Sequence, residues 1–281
     1  MLTDACKKSF SKIAYTFRDG SLIGELKNFQ TPESSLNFED EWTDLKEIHW
    51  KHPGHQYQCL FERFNLNLDY FQDKVVAEIG CGNGRIGELA CERAATYVGY
   101  EPSDAIDVFD KRLQEKQKEN VVLIKSEFKT PPDITYDVVL CWGVLHHVEA
   151  PETLFRHMIE ALSSDGEILL FIYHPGFARR GLFSNYFSGM PIAFKKAYCK
   201  DLSALIDNLQ SRSPEAQVEL LNHSFRGNYA SSELTYFQYY DGISPRYHWD
   251  LNELVYTWSN LVGFECALVS PGCYRINRNL G

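Results

Sequence analysis

The segment VVAEIGCGNGRIG, residues 75 to 87, constrains this chain more than any other. A strand-like run, Val75 to Ile79, leads into glycines at alternate positions, Gly80, Gly82 and Gly84, and then into a helical pattern through Ile86, Leu89 and Ala90. Glycine tolerates left-handed backbone and lets other atoms approach the chain closely. This spacing therefore predicts a tight strand-to-helix turn whose backbone can lie against a ligand. A dinucleotide turn, G-x-G-x-x-G, would carry its third glycine at position 85, where Arg85 stands. An acid, Glu78, precedes the first glycine by two residues, and a carboxylate there would repel a pyrophosphate.

The flanking pattern extends the unit. An apolar helical spacing (Leu60, Phe61, Phe64, Leu68) runs from Gln56 to Phe71. Strands are expected at Tyr97 to Tyr100, Val121 to Ile124, Tyr136 to Cys141 and Ile168 to Tyr173. Amphipathic helices lie between them, at Ala105 to Lys118 and from Pro151, which is suited to a first helical position. Ser163 to Gly166 reads as the turn that ends the second. After residue 173 the regularity stops. It resumes at Asp250, a candidate N-cap with Glu253 three residues on, and closes with strands at Phe264 to Val269 and Tyr274 to Ile276.

Such alternation predicts an α/β fold: a Rossmann-like, doubly wound, mostly parallel seven-stranded sheet with a long insertion after the fifth strand. Three parts are expected: residues 1–55 as an N-terminal lid or extension, 56–173 with 250–281 as the sheet domain, and 174–249 as an insertion covering the substrate.

Composition sets the setting. The N-terminus has no apolar stretch after its lysines, and no apolar run approaches the ~20 residues of a bilayer span, so a cytoplasmic protein without membrane partners is expected. Eight cysteines without a C-x-x-C pair read as small buried hydrophobes. The formal charge of −10 argues against a nucleic-acid partner, so a small-molecule substrate is expected. The oligomeric state is not legible.

Glu101 lies 21 residues after Gly80 at the end of the second strand, placed to accept both hydroxyls of a ribose. NAD and S-adenosylmethionine both carry one. Glu78 separates them, because only the sulfonium amino acid offers a cation, its ammonium, near the first glycine.

EIGCGNG (78–84), YEPS (100–103), SEF (126–128), YDVVLCWGVLHHV (136–148) and ALSSDGEILLFIY (161–173) together resemble the class I S-adenosylmethionine-dependent methyltransferases. The resemblance implies S-adenosylmethionine as cofactor, with Glu78, Gly80, Gly82 and Gly84 at its methionine part and Glu101 at its ribose. It puts Glu127 and Phe128 near the adenine, although this family usually writes Gly-Asp where Ser126-Glu127 stand, and Cys141 and Trp142 near the transferring methyl. The chain is similar to the small-molecule branch, which includes quinone-biosynthesis-like enzymes. FEDEW (38–42) and YDGISPRYHW (240–249) resemble segments of bacterial sugar or secondary-metabolite enzymes.

Methyl transfer needs a base only for an acceptor that must lose a proton. His147, then His174, are the candidates, with packing or capping near Pro151 as the alternative for each. The insertion carries eight Lys/Arg against six Asp/Glu, a net of +2 that leaves −12 for the rest of the chain. Arg179, Arg180, Tyr240 and Arg246 are its candidates for an anionic or ring-containing substrate, against an ordinary solvated surface. No metal is expected. His49, His52 and His55 are spaced at three, but Pro53 and Gly54 interrupt a helix there and no acid or cysteine adjoins them.

The rival readings are an NAD(P)-dependent oxidoreductase, a noncatalytic cofactor-binding protein and a nucleic-acid methyltransferase, the last disfavoured by charge and by Cys-Trp-Gly-Val after the fourth strand in place of an Asn/Asp-Pro-Pro-Tyr-like segment. The Y-x-x-x-K at Tyr70 to Lys74 precedes the first strand of the sheet domain, so it does not support the first rival.

Overall fold

A computed structural model of the chain describes residues 2–44, 57–131, 133–173 and 249–278, with 190–191, 193–194, 197–198 and 200–201. The chain divides into two compact units, Met1–Ala178 with Tyr247–Gly281, and Arg179–Arg246. The sheet and the site described below belong to the first.

Five parallel strands form the centre: β3 (Val75–Ile79), β4 (Thr96–Tyr100), β5 (Val121–Lys125), β6 (Tyr136–Trp142) and β7 (Leu162–Phe171). Two strands near the C-terminus, β8 (Phe264–Ser270) and β9 (Cys273–Arg278), extend one edge in antiparallel register. These are the seven strands expected from the pattern. The described sheet has nine, ordered β1-β2-β5-β4-β3-β6-β7-β9-β8. The extra pair, β1 (Tyr15–Phe17) and β2 (Ile23–Leu26), comes from the N-terminal segment, where strands of three and four residues are too short to show a period.

Strand alternation distributes the core over both faces. Ala77, Ile79, Val98, Tyr100, Val122, Val139, Cys141 and Ile168 face one cluster, which Phe10 of α1 (Leu2–Lys12), Phe155 and Met158 of α5 (Pro151–Glu160) and Val255 of α6 (Asn252–Leu261) complete. Val76, Tyr97, Val121, Val138, Leu140 and Leu169 face the other, under α3 (Gly87–Cys91) and α4 (Ala105–Glu115). A further helix, α2 (Glu33–Asp44), precedes the first parallel strand of the centre.

Three local expectations need correction. Among the described residues of 56–71, helical backbone is confined to Tyr57 and the wide turn Gln58–Glu62, after which the chain breaks into turns; Leu60, Phe61 and Phe64 are buried. Ser163 to Gly166 sit within β7, where pairing jumps from Tyr136↔Leu162 to Val138↔Glu167 and the extra residues bulge out. Asp250 stands one residue before the N-cap, Leu251, yet still accepts the Asn252 N–H at 3.3 Å.

Strand order reverses between β3 and β6, the crevice where α/β sheets take ligands at their carboxyl ends. The glycine turn sits at this point. Gly80, Gly82 and Gly84 all have positive φ, and a Cβ on Gly84 would lie 2.1 Å from the fully buried ring of Phe109. Gly84→Ala is therefore expected to cost about 2–4 kcal/mol, from left-handed strain plus overpacking. Gly20→Ala, at similar φ but in open space, should cost about 1 kcal/mol. Urea unfolding of both variants checks the contrast, and equal losses would show that the Phe109 contact is soft.

Candidate active site

The turn folds back onto β4 through its own backbone. The Gly80 and Cys81 N–H groups both donate to the Tyr100 carbonyl, at 2.8 and 3.0 Å. One residue beyond Tyr100, Glu101 Oε2 accepts the Gly82 N–H at 3.1 Å. Its Oε1 accepts the Ser103 N–H at 2.9 Å and the Ser103 hydroxyl at 2.6 Å. Burial pushes this carboxyl up from the usual range, and the hydrogen bonds from Ser103 and Gly82 oppose that. Glu101 is thus fixed at the reversal point by donors of the turn and of the residues that lead into α4.

Glu78 has a different environment. It shares the helix-covered face with Val76, is 2% exposed, and accepts a hydrogen bond from the Tyr97 hydroxyl at 2.5 Å. A Cβ on Gly87 would fall 2.5 Å from this carboxylate, so α3 presses directly upon it. Burial pushes the Glu78 carboxyl up to about 8, against the lowering effects of the Tyr97 hydrogen bond and of Arg85.

The turn itself offers another polar group. Asn83 is 1% exposed; its Nδ2 donates to the Trp42 carbonyl at 3.1 Å, while Oδ1 is buried with no donor among the described residues. A buried acceptor in this state is costly unless a donor reaches it.

Helix α2 brings the FEDEW segment onto the site. The Trp42 indole comes within 3.6 Å of where a Cβ on Gly82 would stand, and the Arg85 guanidinium lies over the same ring at 5.2 Å. Glu39 accepts the Asp104 N–H at the start of α4, at 3.1 Å. Phe38 packs on His147, with ring centroids 5.3 Å apart. Residues four apart on a helix share a face, which lets Phe38 and Trp42 reach the site together.

Beyond β5, Ser126 is buried and shares a 2.8 Å hydrogen bond with the Tyr15 hydroxyl, whereas Glu127 is exposed. Phe128 is buried against Tyr100, with centroids 4.8 Å apart. Near the end of β6, the Cys141 side chain is fully buried in the core and burial pushes its thiol up to about 12. Trp142 faces the opposite side and stacks on Phe171. The short helical turn Leu145–His147 follows and holds two buried histidines whose rings are 3.9 Å apart. Tyr173, just past β7, meets His146 at 4.3 Å and His147 at 5.4 Å.

The structure thus brings Glu101, the three glycines and His147 to the carboxyl ends of the central strands, with Glu78 just beneath. His174, Arg179, Arg180, Tyr240 and Arg246 lie outside the described residues, as do His49, His52 and His55. Ser103, Asn83, Phe38, Glu39 and Tyr173 were not foreseen as site residues. YEPS contains Ser103 and EIGCGNG contains Asn83, but nothing in the letters shows which way either side chain bonds.

Residues 77–168 match a family model described as "Methyltransferase domain". The chain is 28% identical over 173 residues to a tRNA U34 carboxymethyltransferase of Campylobacter hominis, covering 59% of each protein. It is 29% identical over 128 residues to a ubiquinone biosynthesis O-methyltransferase of Nitrosomonas europaea, covering 42% of this chain and 54% of that one. It therefore spans less than two thirds of either relative. Among solved structures, a magnesium protoporphyrin IX methyltransferase of Synechocystis is 12% identical over 88% of this chain and all of that one, with a TM-score of 0.49. The matched stretch, residues 77–168, runs from β3 to β7, so the likeness to a methyltransferase domain falls on the parallel centre of the sheet.

The expectation of no nucleic-acid partner is overturned. Relatives from Campylobacter hominis, Sulfurimonas denitrificans and Helicobacter pylori are all named for tRNA. Net charge is a poor guide here because it averages over the whole surface, while recognition uses the charges that stand at the site. Among the described residues, no helix is long and apolar enough to cross a membrane.

Glu78 gives a pH test. Its carboxyl is raised in the folded chain, so its contribution to stability is complete below the ordinary carboxylate range and is lost as pH rises toward about 8. Glu78→Gln should lose less stability than the parent between pH 5 and pH 8, measured by urea unfolding at both. Parallel losses would show that Glu78 ionises normally in the fold.

Proposed function

We propose that this chain is a cytoplasmic transferase that moves the methyl of S-adenosylmethionine to an oxygen on a ring-containing or anionic acceptor. The observation that carries the reading is Glu101, fastened to the glycine turn by the Gly82 N–H and to Ser103 by two further donors. A carboxylate with that many fixed donors keeps its orientation while offering its remaining lone pairs to vicinal hydroxyls. The methyl-transfer chemistry is supplied by the cofactor's sulfonium, already a good leaving group, so the protein's task is largely to bind and orient.

In this reading Glu101 takes the ribose, and Gly80, Gly82 and Gly84 let the turn approach the methionine part. Asn83 Oδ1 accepts from the ammonium and shares that task with Glu78, which holds the floor of the turn through Tyr97. Phe128 and Glu127 take the adenine, and Cys141 and Trp142, at the end of β6, lie toward the transferring methyl. His147 is the base or acceptor-orienting group, held between Phe38 and Tyr173. His174, Arg179, Arg180, Tyr240 and Arg246 keep the second-base and acceptor-binding roles that the sequence gives them, and 174–249 keeps its substrate-covering role.

Two acceptor classes fit this description, and each is represented among the relatives: a tRNA, and a small hydroxylated ring such as an O-methyltransferase takes. Calorimetry tests the cofactor half. S-adenosylmethionine and S-adenosylhomocysteine should bind and NADH should not, and Glu101→Ala should weaken both sulfur nucleosides about tenfold or more. Binding of NADH but neither sulfur nucleoside would sink the reading. The acceptor is found by following tritiated methyl transfer to unfractionated tRNA and to a panel of phenols. With the acceptor that labels, His147→Ala should lower kcat about a hundredfold; unchanged turnover would remove His147 as base.

A further inference from the structure

Arg63 follows the wide turn Gln58–Glu62, and its guanidinium lies over two rings at once, 5.8 Å from the centroid of Trp142 and 5.4 Å from that of Phe171. Those rings are stacked on each other, 4.3 Å apart with planes 24° from parallel. Trp142 is the last residue of β6 and Phe171 the last of β7, so this platform stands at the carboxyl edge of the sheet. A guanidinium mounted in this way is already oriented and has less freedom to lose when a ligand binds.

Arg63 is exposed, and among the described residues no carboxylate pairs with it. Arg18, Arg93, Arg112, Arg156 and Arg275 are each ion-paired. Arg85, over Trp42, is the second guanidinium at the site that rests on a ring in place of an acid. Both reach the same buried thiol: burial pushes Cys59 up, and Arg85 and then Arg63 oppose the rise. Among the described residues, two guanidinium groups that rest on rings and form no ion pair thus stand on one flank of the site. From the platform a path of rings leads inward, Phe171 to Tyr173 at 5.7 Å and Tyr173 to His147 at 5.4 Å.

We propose that Arg63, mounted on the Trp142–Phe171 stack and flanked by Arg85, is an oxyanion-binding site that anchors a phosphate or carboxylate of the acceptor. This rests on the reading above, in which the acceptor meets His147 at the carboxyl ends of β6 and β7. The acceptor's ring then crosses Phe171 and Tyr173, and its anion is held by a planar fork of N–H donors suited to two oxygens at once. The phosphate of a nucleotide and the anionic group of a small aromatic share this chemistry.

The test uses matched probes on the full-length protein saturated with S-adenosylhomocysteine: uridine 5′-monophosphate against uridine, and phenyl phosphate against phenol, followed by calorimetry. In at least one pair the charged member should bind about tenfold more tightly. That preference should vanish in Arg63→Gln, return in part in Arg63→Lys, and persist in Arg93→Gln, which removes an exposed, ion-paired arginine elsewhere. A preference confined to the nucleotide pair assigns the oxyanion to nucleic acid; one confined to the phenyl pair assigns it to a small aromatic anion. No preference in either pair overturns the proposal, as does a preference that survives in Arg63→Gln. An equal loss of S-adenosylhomocysteine affinity in Arg63→Gln also overturns it, by placing Arg63 on the cofactor. Failure of the parent protein to bind S-adenosylhomocysteine at all is a different result, which strikes the methyl-transfer reading itself.

Discussion

The site depends on how closely three backbone segments approach one another at the end of β3. Gly80 lies where a Cβ would fall 2.4 Å from the Val144 side chain, Gly84 meets Phe109, and Gly87 meets both the Tyr97 hydroxyl and Glu78. Without side chains at these points the chain can double back so that two consecutive N–H groups share the Tyr100 carbonyl. That bond pins the turn to the end of β4, and Glu101 is the next residue along. The ribose candidate therefore sits where it does because of glycines about twenty residues earlier. A bulky side chain at any of the three would separate the turn from the strand end and release Gly82 from Glu101.

Two acids stand near this turn, and the environment assigns them different work. Glu101 gathers donors from the backbone and from Ser103, which favour its charged form. Glu78 has one close donor, Tyr97, and lies under α3, where desolvation outweighs that bond. A cationic ligand at the turn would shift this balance toward the carboxylate, so Glu78 responds to the occupant whether or not it touches it. Asn83, in contrast, offers a neutral acceptor with no pKa to overcome.

The central sheet was legible because buried parallel strands write themselves as continuous apolar runs, such as Val138 to Cys141, separated by helices with a 3.6-residue stripe. The glycine turn and the acid beside it were legible for a related reason: glycine spacing and an acid at a strand end are constraints on the backbone, and backbone constraints leave a local mark in sequence. β1 and β2 left none, since three or four residues cannot show a period and β2 is held beside β5 by tertiary parallel pairing, from Ile23↔Leu123 to Glu25↔Lys125, with β1 paired to β2 in turn. The bulge in β7 was mistaken for a turn because Ser-Ser-Asp-Gly suits both. What the residues FEDEW would cover was hidden as well, because Phe38, Glu39 and Trp42 each meet a partner forty or more residues away.

The acceptor half shows why a total charge misled. Most described arginines are neutralised by carboxylates within hydrogen-bonding distance, and those pairs contribute little field beyond their neighbours. Arg63 and Arg85 rest on aromatic rings, which orient a cation without cancelling its charge. An acidic protein can therefore present a positive flank to its acceptor while remaining negative as a whole. The same rings that hold Arg63 also carry the apolar path through Phe171 and Tyr173 to His147. Charge and ring recognition come from one set of side chains at the ends of β6 and β7, and a phosphate-bearing nucleobase or a small anionic ring would meet them in the same order.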